Sequence, residues 1–199
     1  MLITPAPALE LPRLAPPGAG LPKIELFFAR LIFHFGRRTT SLAAARATLV
    51  REREAILALV RELDAAAGAK RVLIRRLPGL EDSSRYWSVF MTLDHLRIVN
   101  ESMAGIMSEL LASRVPPGEA STAAVKPASE VGAEVVDAFV ASCERLARAV
   151  AGIEAARLQT AVRFPHPWFG PLDAAAWYFM AGFHLRLHRK QVERILGGR

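Results

Sequence analysis

The sequence predicts an all-α protein, a four-helix bundle with long crossover connections. Two observations carry that expectation. Four long segments have apolar residues at helical spacing, separated by proline- and glycine-rich stretches. Almost nothing alternates with the period of two that a strand requires. The 199 residues, 52% of them apolar and 23% charged, suit a folded domain with a real core rather than a disordered chain.

Residues 1–21, MLITPAPALELPRLAPPGAGL, are interrupted throughout by proline and read as an extended arm; residues 22–199 read as a single bundle domain. KIELFFARLIFHF, from Lys23, has apolar residues on every side, which predicts a short, deeply buried helix ended by Gly36. Thr40 or Ser41 is placed to cap the next helix, rich in alanine, leucine and charged helix formers, with Gly68 as its stop. RVLIRRLPG is an extended connector. Ser83 or Ser84 is then placed to cap a long helix reaching about Ser113. RVPPGEASTAAVKPASEVG contains three prolines and reads as a loop, after which EVVDAFVASCERLARAVAGIEAA returns to helical periodicity. The prolines of RLQTAVRFPHPWFGPL mark a second connector. Asp173 is placed to cap the last helix, which runs to Leu196 before Gly197 and Gly198.

Charge and cysteine content narrow the function classes. The net charge of +7 favours anionic partners, but most arginines have a glutamate a turn or so away, the pattern of solvated helix surfaces. No recognition motif accompanies the charge, which argues against nucleic-acid binding. The single cysteine, Cys143, excludes an intramolecular disulfide and, in AFVASCERL, reads as a small buried filler. The N-terminus lacks a basic region followed by an unbroken apolar run, and no uncharged apolar stretch approaches the roughly 18 residues of a membrane span. A cytoplasmic protein is the expectation.

The last helix contains FHLRLHRKQ, Phe183 to Gln191. On a helical wheel Trp177, Ala181, His184, His188 and Ile195 share one stripe, opposite Arg186, Arg189, Lys190 and Glu193. Two imidazoles thus fall within a face that should be buried, where an unpartnered polar group costs on the order of 1–3 kcal/mol. Spacing of four residues lets both converge on one metal ion. His95, in TLDHLRIVN, also faces apolar company, with Ser88 and Ser102 near it. The second and fourth helices of a bundle can bring His95 against His184 and His188. Three neutral imidazoles then form a metal site with coordination positions left for water or substrate. His34 reads as structural and His166 as a tether of the crossover loop. Tyr86, Trp87 and Trp168 are candidates to line a pocket or to fill the core. Asp94, adjacent to His95, points about 100° away from it, and no carboxylate is identifiable as a catalytic base.

These residues resemble the DinB superfamily of metal-binding four-helix bundles, which includes thiol-dependent S-transferases and maleylpyruvate isomerases. TLDHL resembles the segment around the family's first ligand, and His184, His188, Arg189 and Gln191 match its usual ending. His166 to Trp177, HPWFGPLDAAAW, resembles the lead-in of an uncharacterised branch. The likeness covers about residues 42–196, with two departures, Leu187 and Lys190. It implies nickel or zinc on His95, His184 and His188. It also implies a transferase or isomerase acting through a metal-activated low-molecular-weight thiol or water on a small molecule, with a basic rim to hold an anionic thiol. The alternative is a non-enzymatic interaction or sensor module, a homodimer joined through the arm and the helix around Phe27 to Phe35.

Overall fold

The computed structural model describes residues 12–198. Six α-helices span Lys23–Thr39 (α1), Leu42–Val60 (α2), Ala65–Ala69 (α3), Val89–Leu111 (α4), Val135–Arg148 (α5) and Ala174–Gly197 (α6). Two small antiparallel hairpin-like ladders accompany them. One joins Val72–Leu73 (β1) to Tyr86–Trp87 (β2); the other joins Phe164–His166 (β3) to Gly170–Leu172 (β4). The bundle consists of α2, α4, α5 and α6: α4 packs on α5 and α6, and α2 closes the ring against both. Among the described residues no helix is long and apolar enough to cross a membrane.

Capping chemistry sets several starts. Ser41 Oγ accepts from Ala44 N at the head of α2, and Asp173 Oδ1 accepts from Ala176 N at the head of α6, both as expected. The start of α4 lies later than expected. Ser88, not Ser83 or Ser84, accepts from Met91 N, while Asp82–Ser84 form a separate 3-10 turn. Ser88 therefore serves the helix end rather than leaving room around His95.

Residues 41–68 are not one helix. Asp64 accepts from Ala67 N and restarts the chain as α3 after a break at residues 61–64. Gly68 lies within α3 because the Phe90 ring packs against its backbone, and a Cβ there would sit 2.1 Å from that ring. Gly68→Ala should therefore destabilise the fold by about 1–3 kcal/mol, the usual cost of overpacking. Urea unfolding of the two proteins would measure it, and an unchanged midpoint would mean that Phe90 moves aside freely.

The first helix departs furthest from expectation. It continues through Gly36 to Thr39, since the missing Cβ at Gly36 makes room for the Phe179 ring of α6. Nor is it deeply buried: Phe33 alone of its residues is fully enclosed, stacked on Phe169 with centroids 4.3 Å apart. Of the arm, residues 1–11 lie outside the described residues. Residues 12–21 have no regular structure and lie against the body. Ala15 N donates to Asp82, Gly18 N and Gly20 N donate to the buried Glu81 carboxylate, and Leu21 is buried.

Candidate metal centre

The side chains of His95 on α4 and of His184 and His188 on α6 meet inside the bundle. One ring nitrogen from each lies within 4.8 Å of the other two. His95 Nε2 and His184 Nε2 are 3.1 Å apart. Tetrahedral ligation with bonds of about 2.0–2.1 Å would separate two ligating nitrogens by roughly 3.3 Å, so the spacing suits a shared ion.

Hydrogen bonds decide which nitrogens are bare. His95 Nδ1–H donates to the Val125 carbonyl at 2.6 Å, which leaves the lone pair on Nε2. The Gln191 amide donates through Nε2 to the Ser84 carbonyl, at 2.8 Å. Its Oε1 must then face His188 Nδ1, 2.6 Å away, and accept its proton. His188 is thereby also left with a bare Nε2. His184 Nδ1 is buried without a hydrogen-bond partner. Burial disfavours the charged form of all three rings: it lowers the pKa of His95 to about 4 and those of His184 and His188 well below the ordinary imidazole range, their mutual repulsion adding to the shift. Neutral imidazoles with two tautomers fixed by acceptors are the protonation state that a metal ion requires.

The three histidines lie at one side of a cavity of about 230 Å³. Val99, Met103, Ile106, Met180 and Phe183 give it an apolar wall, and Trp168 and Phe169 of the β3–β4 hairpin, with Leu21 and Ala29, also line it. Lys126 is the one cation lining it among the described residues, and its Nζ is held 2.6 Å from the buried Glu81 carboxylate. His166 also lines the cavity, where its Nδ1 accepts from Trp168 N and fixes the hairpin turn. Trp177, a second lining residue, has a buried Nε1–H with no partner.

A match to the DinB superfamily spans residues 75–192, more than half of the chain, and includes all three histidines. The chain belongs to the DinB superfamily. The crystal structure of TT2238, a four-helix bundle protein, is similar in fold. It has a TM-score of 0.55 over 77% of this chain and 98% of that one, at 24% identity. No curated protein matches.

In this DinB chain the residues after His188 have separable roles. Arg189 leaves the site and pairs at 2.7 Å with Glu52, a buried carboxylate of α2 that also meets Arg51 and Arg186, and so ties α2 to α6. Gln191 orients His188. Of the two departures, Leu187 lines the cavity and Lys190 is exposed, and neither displaces a histidine. Asp94 faces away from the site, paired with Arg97 and accepting from Ala128 N. Trp87 packs beside His95 and His188, its ring 5.2 and 6.3 Å from theirs, without lining the cavity, and Tyr86 lies away from it. Cys143 is buried at the α4–α5 contact, and burial pushes its thiol up to about 12, which leaves an inert filler.

Sequence reasoning missed the Val125 and Ser84 carbonyls, because backbone acceptors carry no side-chain signature. It also missed Glu81 and the Trp177 donor. The orienting role of Gln191 is testable. Gln191→Ala should weaken metal binding about 10- to 100-fold, the usual effect of removing a ligand's hydrogen-bond partner. A chelator competition titration would measure it, and a change under twofold would show that His188 needs no such support.

Proposed function

We propose that this chain is a metal-dependent enzyme in which His95, His184 and His188 hold nickel or zinc through their bare nitrogens. Its reaction is transfer or isomerisation assisted by a low-molecular-weight thiol or by water. The observation that carries the reading is the convergence of three neutral imidazoles, two with tautomers fixed from behind, on a largely apolar cavity. Membership of the DinB superfamily supports it. A divalent ion held there would act as a Lewis acid and lower the pKa of a thiol or water.

The protein's own contribution is positioning and exclusion of water. Leu21, Ala29, Trp168 and Phe169 cover part of the site and leave His184 half-buried, and what water they exclude strengthens the electrostatic interactions inside. With Lys126 already neutralised by Glu81, the lining suits an uncharged, mostly apolar substrate portion. Any carboxylates of a thiol cofactor then remain outside it, at the rim. The unpartnered Trp177 Nε1–H suits an acceptor oxygen on that substrate.

The test is turnover by metal-loaded protein offered small thiols with uncharged electrophiles, beside His95→Ala. Product formed by the wild type and lost in the variant is expected. Stoichiometric metal without turnover across such a panel would leave a metal-stabilised interaction or sensor module instead.

A further inference from the structure

Six large apolar side chains of α1 stand in solvent: Ile24 is 76% exposed, Phe27 58%, Phe28 55%, Leu31 53%, Ile32 62% and Phe35 71%. Ile24, Phe28, Leu31 and Phe35 follow one another at intervals of four, three and four residues, the spacing of a helix–helix seam, and Phe27 and Ile32 flank it. Three charged groups of α1 meanwhile reach to the body. Glu25 pairs with Arg76, Arg30 Nε donates to the Trp168 carbonyl at 2.6 Å, and Arg37 pairs with Asp173 at 2.6 Å. A surface helix ordinarily does the reverse.

We propose that a second copy of this chain covers the seam, with α1 of each protomer packed antiparallel against α1 of the other about a two-fold axis. A fully exposed side chain of this size presents about 200 Å². Six such residues, on average about three-fifths bare, therefore offer roughly 750 Å² per chain, close to the roughly 800 Å² that each partner of a stable complex buries. It also exceeds the roughly 300–600 Å² patch that a monomer ordinarily tolerates.

The antiparallel arrangement sets Ile24 against Phe35 of the partner subunit and Phe28 against Leu31 of the partner subunit, so large meets small. A parallel pair would stack phenylalanines and place the Arg37–Arg38 ends of both helices side by side. A lipid surface fits less well, because a helix lying in a membrane needs a row of free cations along its apolar face; here Arg30 and Arg37 are engaged, and the exposed Lys23 and Arg38 stand only at the two ends of the helix. The seam lies outside the four helices of the bundle and outside the family match at residues 75–192. Ala29, on the same helix, lines the cavity, so the pairing would brace its cover.

Sedimentation equilibrium of the full chain at micromolar concentration should give twice the 21.8 kDa chain mass. Phe28→Glu/Leu31→Glu should weaken association at least about 100-fold while leaving the circular dichroism spectrum unchanged. In Phe28→Cys/Leu31→Cys, mild oxidation should link two chains, since the native Cys143 is buried. A monomeric wild type would overturn the proposal, as would a dimer that survives the glutamate pair or a cysteine pair that never links. Monomeric wild type that dimerises once residues 1–11 are deleted would assign the seam to the chain's own arm. Solution monomers that float with phosphatidylglycerol vesicles, but not after the glutamate substitutions, would assign it to lipid.

Discussion

Tag-free protein is expected to carry about one nickel or zinc ion per chain, and His95→Ala and His184→Ala/His188→Ala are expected to carry none. The bare nitrogens belong to rings that α4 and α6 hold within 4.8 Å of one another, so little ordering remains for the ion to impose. Structural zinc binding is worth about 10–16 kcal/mol with four protein ligands. Loss of one of three imidazoles should then cost on the order of 4 kcal/mol, roughly a thousandfold in affinity. Stability should follow: an ion at about a thousand times its Kd adds about 4 kcal/mol to the native state. For a chain of this length that corresponds to a Tm roughly 8–16 °C higher than with chelator present. Elemental analysis and thermal unfolding with and without chelator make the two measurements. Wild-type protein that neither contains nor takes up metal, with a Tm indifferent to chelator, would sink the three-histidine reading.

Much of this was legible in the sequence, for reasons that differ between parts of the chain. The bundle followed from periodicity and from Ser41 and Asp173, whose side chains can satisfy the free amides of a helix start without help from the rest of the fold. The histidine cluster followed from spacing on α6 and from the apolar neighbours of His95, because helix faces are set locally and bundle neighbours share them. Where tertiary contacts compete, local reading failed. Asp64 splits the expected second helix although the apolar pattern continues past it. Ser83, Ser84 and Ser88 are equivalent caps by type, and the β1–β2 pairing selects the last by holding Tyr86 and Trp87 extended. The apolar residues of α1 signalled burial, but an apolar face does not say whether its partner lies in the same chain. Glu52 belongs to the arginine- and glutamate-rich pattern of a solvated helix, and Glu81 carries no local sign of burial. Their burial depends on Arg189 and Lys126, which are 137 and 45 residues away.

The buried histidines also predict how metal-free protein responds to acid. An unfolded histidine titrates near 6.5. In the folded chain burial holds His95 and His166 at about 4, and His184 and His188 stay neutral well below the ordinary value. Between pH 6.5 and 4 the unfolded state therefore binds more protons than the native state, so stability is full above about pH 7 and falls as pH falls. Each such proton is worth about 1.36 kcal/mol per pH unit, so the four histidines together approach about 5 kcal/mol per unit near pH 5. Domains commonly have only about 5–15 kcal/mol in all.

The ion-paired carboxylates act lower on the scale. Glu25 is held down chiefly by its hydrogen bond to Arg76, while Glu52 and Glu81 are raised by burial but lowered further by Arg189 and Lys126. Their contribution is present above the unfolded carboxylate value of about 4.3 and is lost only as pH falls through still lower folded values. A steep loss between pH 6.5 and 4.5 thus belongs to the histidines. Urea unfolding in chelator at half-unit steps from pH 8 to 4.5 should be flat at first and then steep. His166→Gln, which removes one neutral ring outside the triad, should reduce the limiting slope by about one proton. A slope near zero across that window would mean that the histidines are not buried as neutral rings, and would remove the electrostatic basis for a metal site as well.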